Sequence, residues 1–197
     1  MLRRLFVKER FEHIEEELSA VYQMLGVEEQ LLKVKKQPAT YSKPYSYIAE
    51  GRLQGHHFVL SLHHSPLKVE DLKQQLELII QCENPKWMTL VLRKKNAPES
   101  KAKKILGIAP IPRLKNVNLD KLMIESSDEK WTKALFDVPL GKKIAIMNEI
   151  KFSSFVLERK RLYVQMPWLP DDFSKRQALT QVLDFSISLV KKIDAQR

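Results

Sequence analysis

The side chains that could do chemistry here are five histidines, 24 carboxylates, one cysteine and 34 lysines and arginines. The question is which of them the spacing can bring together. His56-His57 and His63-His64 suggest a metal site at first sight. Strand geometry argues against it, because neighbours point to opposite faces. Eight residues at about 3.3 Å each also put His56 roughly 26 Å from His64. Zinc needs every ligand at about 2 Å, so one strand cannot close such a site without carboxylates from its neighbours. The expectation is polar histidines at strand ends, able to gain charge below about pH 6.5. Carboxylate pairs stand at Glu70/Asp71, Asp128/Glu129 and Asp171/Asp172. Acid–base catalysis needs two carboxyls on one cleft with separated pKa values. These pairs instead stand where helices could begin and where an acid favours the helix dipole, so they read as caps. Cys82 lies in the apolar run LELIIQC and reads as a small buried hydrophobe rather than a nucleophile. No serine nucleophile elbow, phosphate-binding glycine loop or dinucleotide fingerprint is present. No catalytic residue, cofactor or metal is expected.

Basic segments are the strongest pointer to function. Arg93 to Lys104 (RKKNAPESKAKK) carries six basic residues against one acid. The six are Arg93, Lys94, Lys95, Lys101, Lys103 and Lys104. Arg159-Lys160-Arg161 forms a second segment, and Lys33, Lys35 and Lys36 a third. The first two are expected to loop into water and meet an anionic partner. The net charge of +10 is uneven: residues 1–50 carry eight basic and eight acidic side chains, residues 101–197 nineteen and eleven. Such a surface suits an acidic protein, an anionic membrane surface or nucleic acid. Sequence-tolerant nucleic-acid binding also wants aromatics among the cations. Trp87 near Arg93 and Tyr163 near Arg161 supply only thin interleaving, and both are expected on strands. Met166 to Pro170 places Trp168 and Leu169 between two prolines. That reads as closure of a sheet end, with an apolar tip for a partner as the other reading.

Elements must position these groups. Leu5, Phe11, Ile14, Leu18, Val21, Tyr22 and Leu25 follow helical spacing, with Gly26 as a stop. Val27–Lys36 could form a second short helix before Pro38 and Pro44. Tyr45–Leu53 and Phe58–Leu62 read as a hairpin around Gly55. Leu76–Cys82 and Trp87–Leu92 read as a second pair across Glu83-Asn84-Pro85-Lys86, with a helical turn at 69–75 before it. Residues 93–118 form a long basic connection. A strand at Leu122–Glu125 then leads into a helix bearing Trp131, Leu135 and Phe136, opened by Ser126-x-x-Glu129. A second helical stretch follows at 140–150, and a hairpin at Phe152–Leu157 and Leu162–Met166. The final helix starts near Asp172 or at Ser174-x-x-Gln177. Its expected buried face is Ala178, Val182, Phe185, Leu189 and Ile193. The prediction is an α+β fold, an antiparallel sheet with helices mainly on one face and a helix at each terminus. Residues 1–36 are read as a helical arm and 45–197 as the α+β domain.

Three places resemble a family of bacterial soluble domains of unknown function, often found next to transmembrane helices. They are Glu50-Gly51-Arg52-Leu53-Gln54-Gly55, then Leu122 to Asp128, then Phe152 to Met166. The resemblance implies no reaction and no catalytic residues. It does suggest a relative of membrane-associated proteins.

No stretch reaches the roughly 20 apolar residues of a membrane span, and the arginines at the start have no apolar stretch behind them. With a single cysteine, this reads as a soluble cytoplasmic chain, located in the cytosol or at the cytoplasmic face of the membrane. The expected function is a non-enzymatic binding or scaffolding domain whose basic loops meet an acidic protein or an anionic surface, with self-association through the N-terminal helix. A nucleic-acid-binding protein and an enzyme with an unrecognised pocket are the alternatives.

Overall fold

The computed structural model describes residues 2–27, 31–37, 45–64, 75–95, 108–111, 114 and 119–196. In chain order the elements are α1 (Leu2–Met24), β1 (Lys33–Gln37), β2 (Tyr45–Leu53), β3 (His56–His64), β4 (Gln75–Gln81), β5 (Leu90–Lys94), β6 (Ala109–Pro110), β7 (Leu122–Ser126), α2 (Glu129–Leu135), α3 (Val138–Met147), β8 (Ser154–Glu158), β9 (Arg161–Met166) and α4 (Phe173–Asp194). The fold is α+β. One nine-stranded sheet runs in the order β1-β2-β3-β4-β9-β8-β5-β7-β6, with every pairing antiparallel.

Alternating burial makes the sheet two-sided. In β4, Leu76, Leu78 and Ile80 are buried, while Gln75, Glu77 and Ile79 are half-exposed. Their cross-strand partners, Leu62, Leu60 and Phe58 on one side and Met166, Val164 and Leu162 on the other, are buried as well. One face is therefore continuously apolar. α4 covers it, burying Leu179, Val182, Phe185, Leu189 and Ile193, and the other three helices pack against α4. Phe155 of β8 ties the layers, edge-on to Phe152 at 4.8 Å and to Phe185 of α4 at 5.3 Å.

The helix ends follow local chemistry. Gly26 takes φ 67° just past α1. The Val27 N–H reaches the Tyr22 carbonyl at 2.9 Å, and the Gly26 N–H reaches the Gln23 carbonyl at 3.1 Å. That is a Schellman closure, and buried Val27 and Tyr22 supply its apolar contact. Asp128, Asp137 and Asp172 are the N-caps of α2, α3 and α4, each accepting a backbone N–H three residues on. The aspartates at 128 and 172 therefore do the capping, not Ser126, which ends β7, nor Ser174, which lies inside α4.

Several expectations change. β4 and β5 are not a hairpin, because β9 and β8 stand between them. Lys33–Gln37 is an edge strand paired with β2 rather than a helix. Residues 1–36, expected to be an arm, contribute α1 to the common core and β1 to the sheet. From Phe11 onward, the apolar residues of α1 on which self-association would draw (Phe11, Ile14, Leu18, Val21 and Tyr22) are buried within the chain. The helical turn expected at 69–75 falls mostly outside the described residues.

Arg93 was expected in a water-facing loop. It lies in β5 on the face opposite the helices and is 4% exposed. Its guanidinium donates to Glu125 of β7 at 3.2 and 3.4 Å, and Glu125 is buried too. Isolating one member of such a pair costs far more than replacing both. Arg93→Met is expected to lower unfolding free energy by about 3–5 kcal/mol, and Arg93→Met with Glu125→Met by much less. Urea titrations of both variants check this. Equal losses in the single and double variants would show that the pairing is not what holds this face.

Candidate functional site

The inserted hairpin decides where the functional candidates lie. Because β8 and β9 separate β4 from β5, residues 82–89 must cross beneath the Arg159-Lys160 turn. The crossing is tied at several points. The Cys82 N–H donates to the Lys160 carbonyl at 3.0 Å. Asn84, 1% exposed, donates its side-chain amide to the Arg159 carbonyl and to the Met88 carbonyl, and accepts the Met88 N–H at 3.1 Å. Asp194, at the end of α4, accepts the Glu83 N–H at 2.7 Å and the Asn84 N–H at 3.4 Å.

This end of the sheet carries unusual backbone. Among the described residues, the non-glycine residues with positive φ are Gln54 (50°), Asn84 (40°), Trp87 (52°) and Arg159 (53°). All four sit in the three turns at this one end: β2–β3, the 82–89 crossing and β8–β9. Asn tolerates this conformation, and Gln54-Gly55 forms a hairpin turn that demands it. For Trp87 and Arg159 it costs on the order of 1–2 kcal/mol each. Such strain persists only where the surroundings over-determine it. The Asn84 and Asp194 hydrogen bonds do that here.

What the strained turns display is basic and aromatic. Arg52, Lys86, Arg159, Lys160 and Arg161 are all exposed, and Trp87 is 64% exposed. Register places the flanking residues in one row. Arg52 stands opposite His57, and Arg161 opposite Gln81, while His57 lies one step past the Phe58–Ile80 pair. Three strand spacings separate Arg52 from Arg161, roughly 14 Å. Carboxylates at this end are largely engaged. Glu83 pairs with Lys160 at 3.3 Å, Asp194 lies 3.6 Å from His56, and Glu50 lies 2.9 Å from His57. The His57 hydrogen bond, aided by Lys33 and Lys35, holds the Glu50 carboxyl below the usual carboxylate range. Arg52 and Arg161 have no carboxylate partner among the described residues. A cleft of about 420 Å³ opens between these turns, with Arg52, His57, Lys160 and Arg161 on its wall and Cys82 and Asp194 deeper in.

The two basic segments read from sequence do not form one surface. Residue 95 leaves β5 at the end where β8 begins, whereas 159–161 join β8 to β9 at the opposite end. Lys94 is occupied: its ammonium donates to the carbonyls of Met147 at 2.8 Å and Asn148 at 2.7 Å, closing α3, and lies 4.9 Å from the Phe152 ring centre. Burial and then Lys121 hold its pKa below the ordinary lysine value. Lys95 is exposed, and Lys101, Lys103 and Lys104 lie outside the described residues. Trp168 is 8% exposed and donates its indole N–H to the Lys151 carbonyl, so it closes a sheet end rather than forming a tip. Sequence reading missed Arg52 and Lys86 and placed Trp87 on a strand, whereas it lies in the crossing before β5. The signal was there in Asn84-Pro85-Lys86, a turn that needed extending by one residue to take in Trp87. The histidine pairs lie along β3, and among the described residues no group of three His, Cys, Asp or Glu could hold a metal ion. A second groove of about 530 Å³, between α1 and β1, has the opposite polarity, with Glu12, Glu15 and Glu16 on its rim.

No family model matches the chain, and no curated protein matches it. Among solved structures it is similar to the crystal structure of the mycobacterial trehalose monomycolate transport factor A, TtfA, with a TM-score of 0.51 and 10% identity over 92% of this chain and 93% of that one. At that identity the likeness is one of fold alone.

Cys82 reports on the packing beneath this end. Burial, then the nearby Asp194 and Glu83 carboxylates, push its thiol up to about 12. Relative to an ordinary thiol near 8.5, its thiolate fraction at pH 8 falls on the order of 10³-fold. Native protein is therefore expected to react with a disulfide reagent about that much more slowly than urea-unfolded protein. Equal rates in the two states would mean that the crossing does not seal the cysteine.

Proposed function

We propose that this protein is a non-enzymatic binding domain that docks an anionic partner on the basic end of its sheet. One observation carries the reading. Lys86, Arg159 and Lys160 project from adjacent turns into solvent with Arg52 and Arg161 on the strand ends beside them, and the crossing hydrogen bonds fix the 82–89 and β8–β9 turns. Cations held in place lose little freedom on binding, and their combined field raises the rate of encounter with an anion. Lys95 leaves β5 at the opposite end of the sheet and could make only a separate contact. The fold is also that of a transport factor in mycobacteria, a likeness that carries no partner to this chain.

The test compares wild type with a variant carrying Arg52→Glu, Arg159→Glu, Lys160→Glu and Arg161→Glu. Binding is measured to heparin, to anionic vesicles and to oligonucleotides, at low and high salt. The wild type is expected to bind at least one of these with a steep loss as salt rises, because each neutralised anion releases counterions. The variant is expected to lose that binding while its circular dichroism and thermal unfolding stay close to wild type. Retention of binding by the variant, or no binding by the wild type to any of the three, sinks the reading.

A further inference from the structure

We propose that the anionic partner of this surface is a lipid bilayer, with Trp87 as the side chain that enters it. The inference rests on the reading above and identifies its partner class.

Trp87 is the starting observation. It is 64% exposed, on a bulky residue held at φ 52°. A glycine or asparagine would satisfy that backbone without strain. The chain places an indole there instead and fixes the turn around it. The Trp87 N–H donates to the Asn84 carbonyl at 3.0 Å, and Asn84 is fastened to Met88 and Arg159. The other two tryptophans, Trp131 and Trp168, are 5% and 8% exposed. The exposed indole is therefore an exception among the chain's tryptophans, with its position set by its neighbours.

Its surroundings point to the partner. Lys86 precedes it, and the Arg159–Arg161 turn is bonded to the same segment. An indole has an apolar body and a wet N–H, which suits it to the headgroup level of a membrane. Lysine and arginine beside it can lay their stems along the apolar zone and keep their charges at the phosphates. The cations are spread over several turns, Arg52 to Arg161 spanning roughly 14 Å. Such a spread suits a plane of repeated anions better than a single phosphate. Stacking on nucleic acid calls for successive aromatics along a groove, and Trp87 stands alone on its turn. Weak charge attraction and shallow insertion each give marginal binding, and together they give stable association.

The experiment uses the full chain with vesicles of phosphatidylcholine alone and of phosphatidylcholine with phosphatidylglycerol. Because the other two tryptophans are buried, the solvent-sensitive part of the emission reports Trp87. On adding the anionic vesicles the emission is expected to shift to the blue and to become less accessible to acrylamide, with no change on the neutral vesicles. In co-sedimentation, Trp87→Asn, which keeps the turn's backbone preference, is expected to bind roughly tenfold more weakly, and Trp87→Phe to fall between it and wild type. Each of Arg159→Gln and Arg161→Gln is expected to cost about fivefold. If the charge variants lose vesicle binding while Trp87→Asn binds like wild type with unshifted emission, docking to anions stands and the indole's role fails. If the wild type ignores vesicles but binds oligonucleotides or heparin through the same arginines, the lipid assignment is overturned and the anionic-docking reading survives. If it binds none of them, both fall.

Discussion

Placement of the β8–β9 hairpin between β4 and β5 is the constraint on which the rest of this molecule depends. Without it the sheet is two pieces, β1 to β4 and β5-β7-β6, each with an open edge of unpaired backbone donors and acceptors. Buried backbone groups left unpaired are costly, so the two pieces are held as one by strands from the last quarter of the chain. The helix that follows, α4, lies on the apolar face that the insertion makes continuous. Sheet closure and core formation are therefore one event, and it needs contacts between residues more than 70 positions apart, such as Leu78 with Val164.

The same insertion accounts for the candidate surface. A tight turn could have joined β4 to β5 had they been neighbours. Instead the connection must pass the tip of another hairpin, and it is fastened there by Asn84 and by Asp194 from the end of α4. Tethers of this kind hold backbone angles that a free loop would abandon. Display of Trp87 and Arg159 in left-handed conformation is thus a product of topology, carried by a buried asparagine and a half-buried aspartate.

Much of the fold was legible in the chain. Gly26 marked the end of α1 because only a residue free at positive φ closes a helix that way. The period of Ala178 to Ile193 marked α4, and apolar runs such as LELIIQC marked strands. What could not be read was which strands are neighbours. Pairing of β4 with β9 leaves no local trace, and proximity in sequence points to β5 instead. Arg93 and Lys94 misled for a related reason. Their charge suggested water, yet one is paired with Glu125 and the other donates to carbonyls at the end of α3, both distant in sequence. At the surface itself, Arg159 to Arg161 were legible as a turn, while Arg52 and Trp87 were hidden inside segments assigned to strands.

The sheet's two margins carry a consequence of their own. At one, β1 bears Lys33, Lys35 and Lys36; at the other, β6 has two residues and ends in Pro110. A lysine-studded margin repels its own copy, and a proline cannot donate to an added strand. A sheet this wide could otherwise grow sideways from molecule to molecule into a ribbon. With both flanks made inhospitable to a further strand, encounters are channelled to its tips, and a partner must recognise side chains there rather than borrow the backbone.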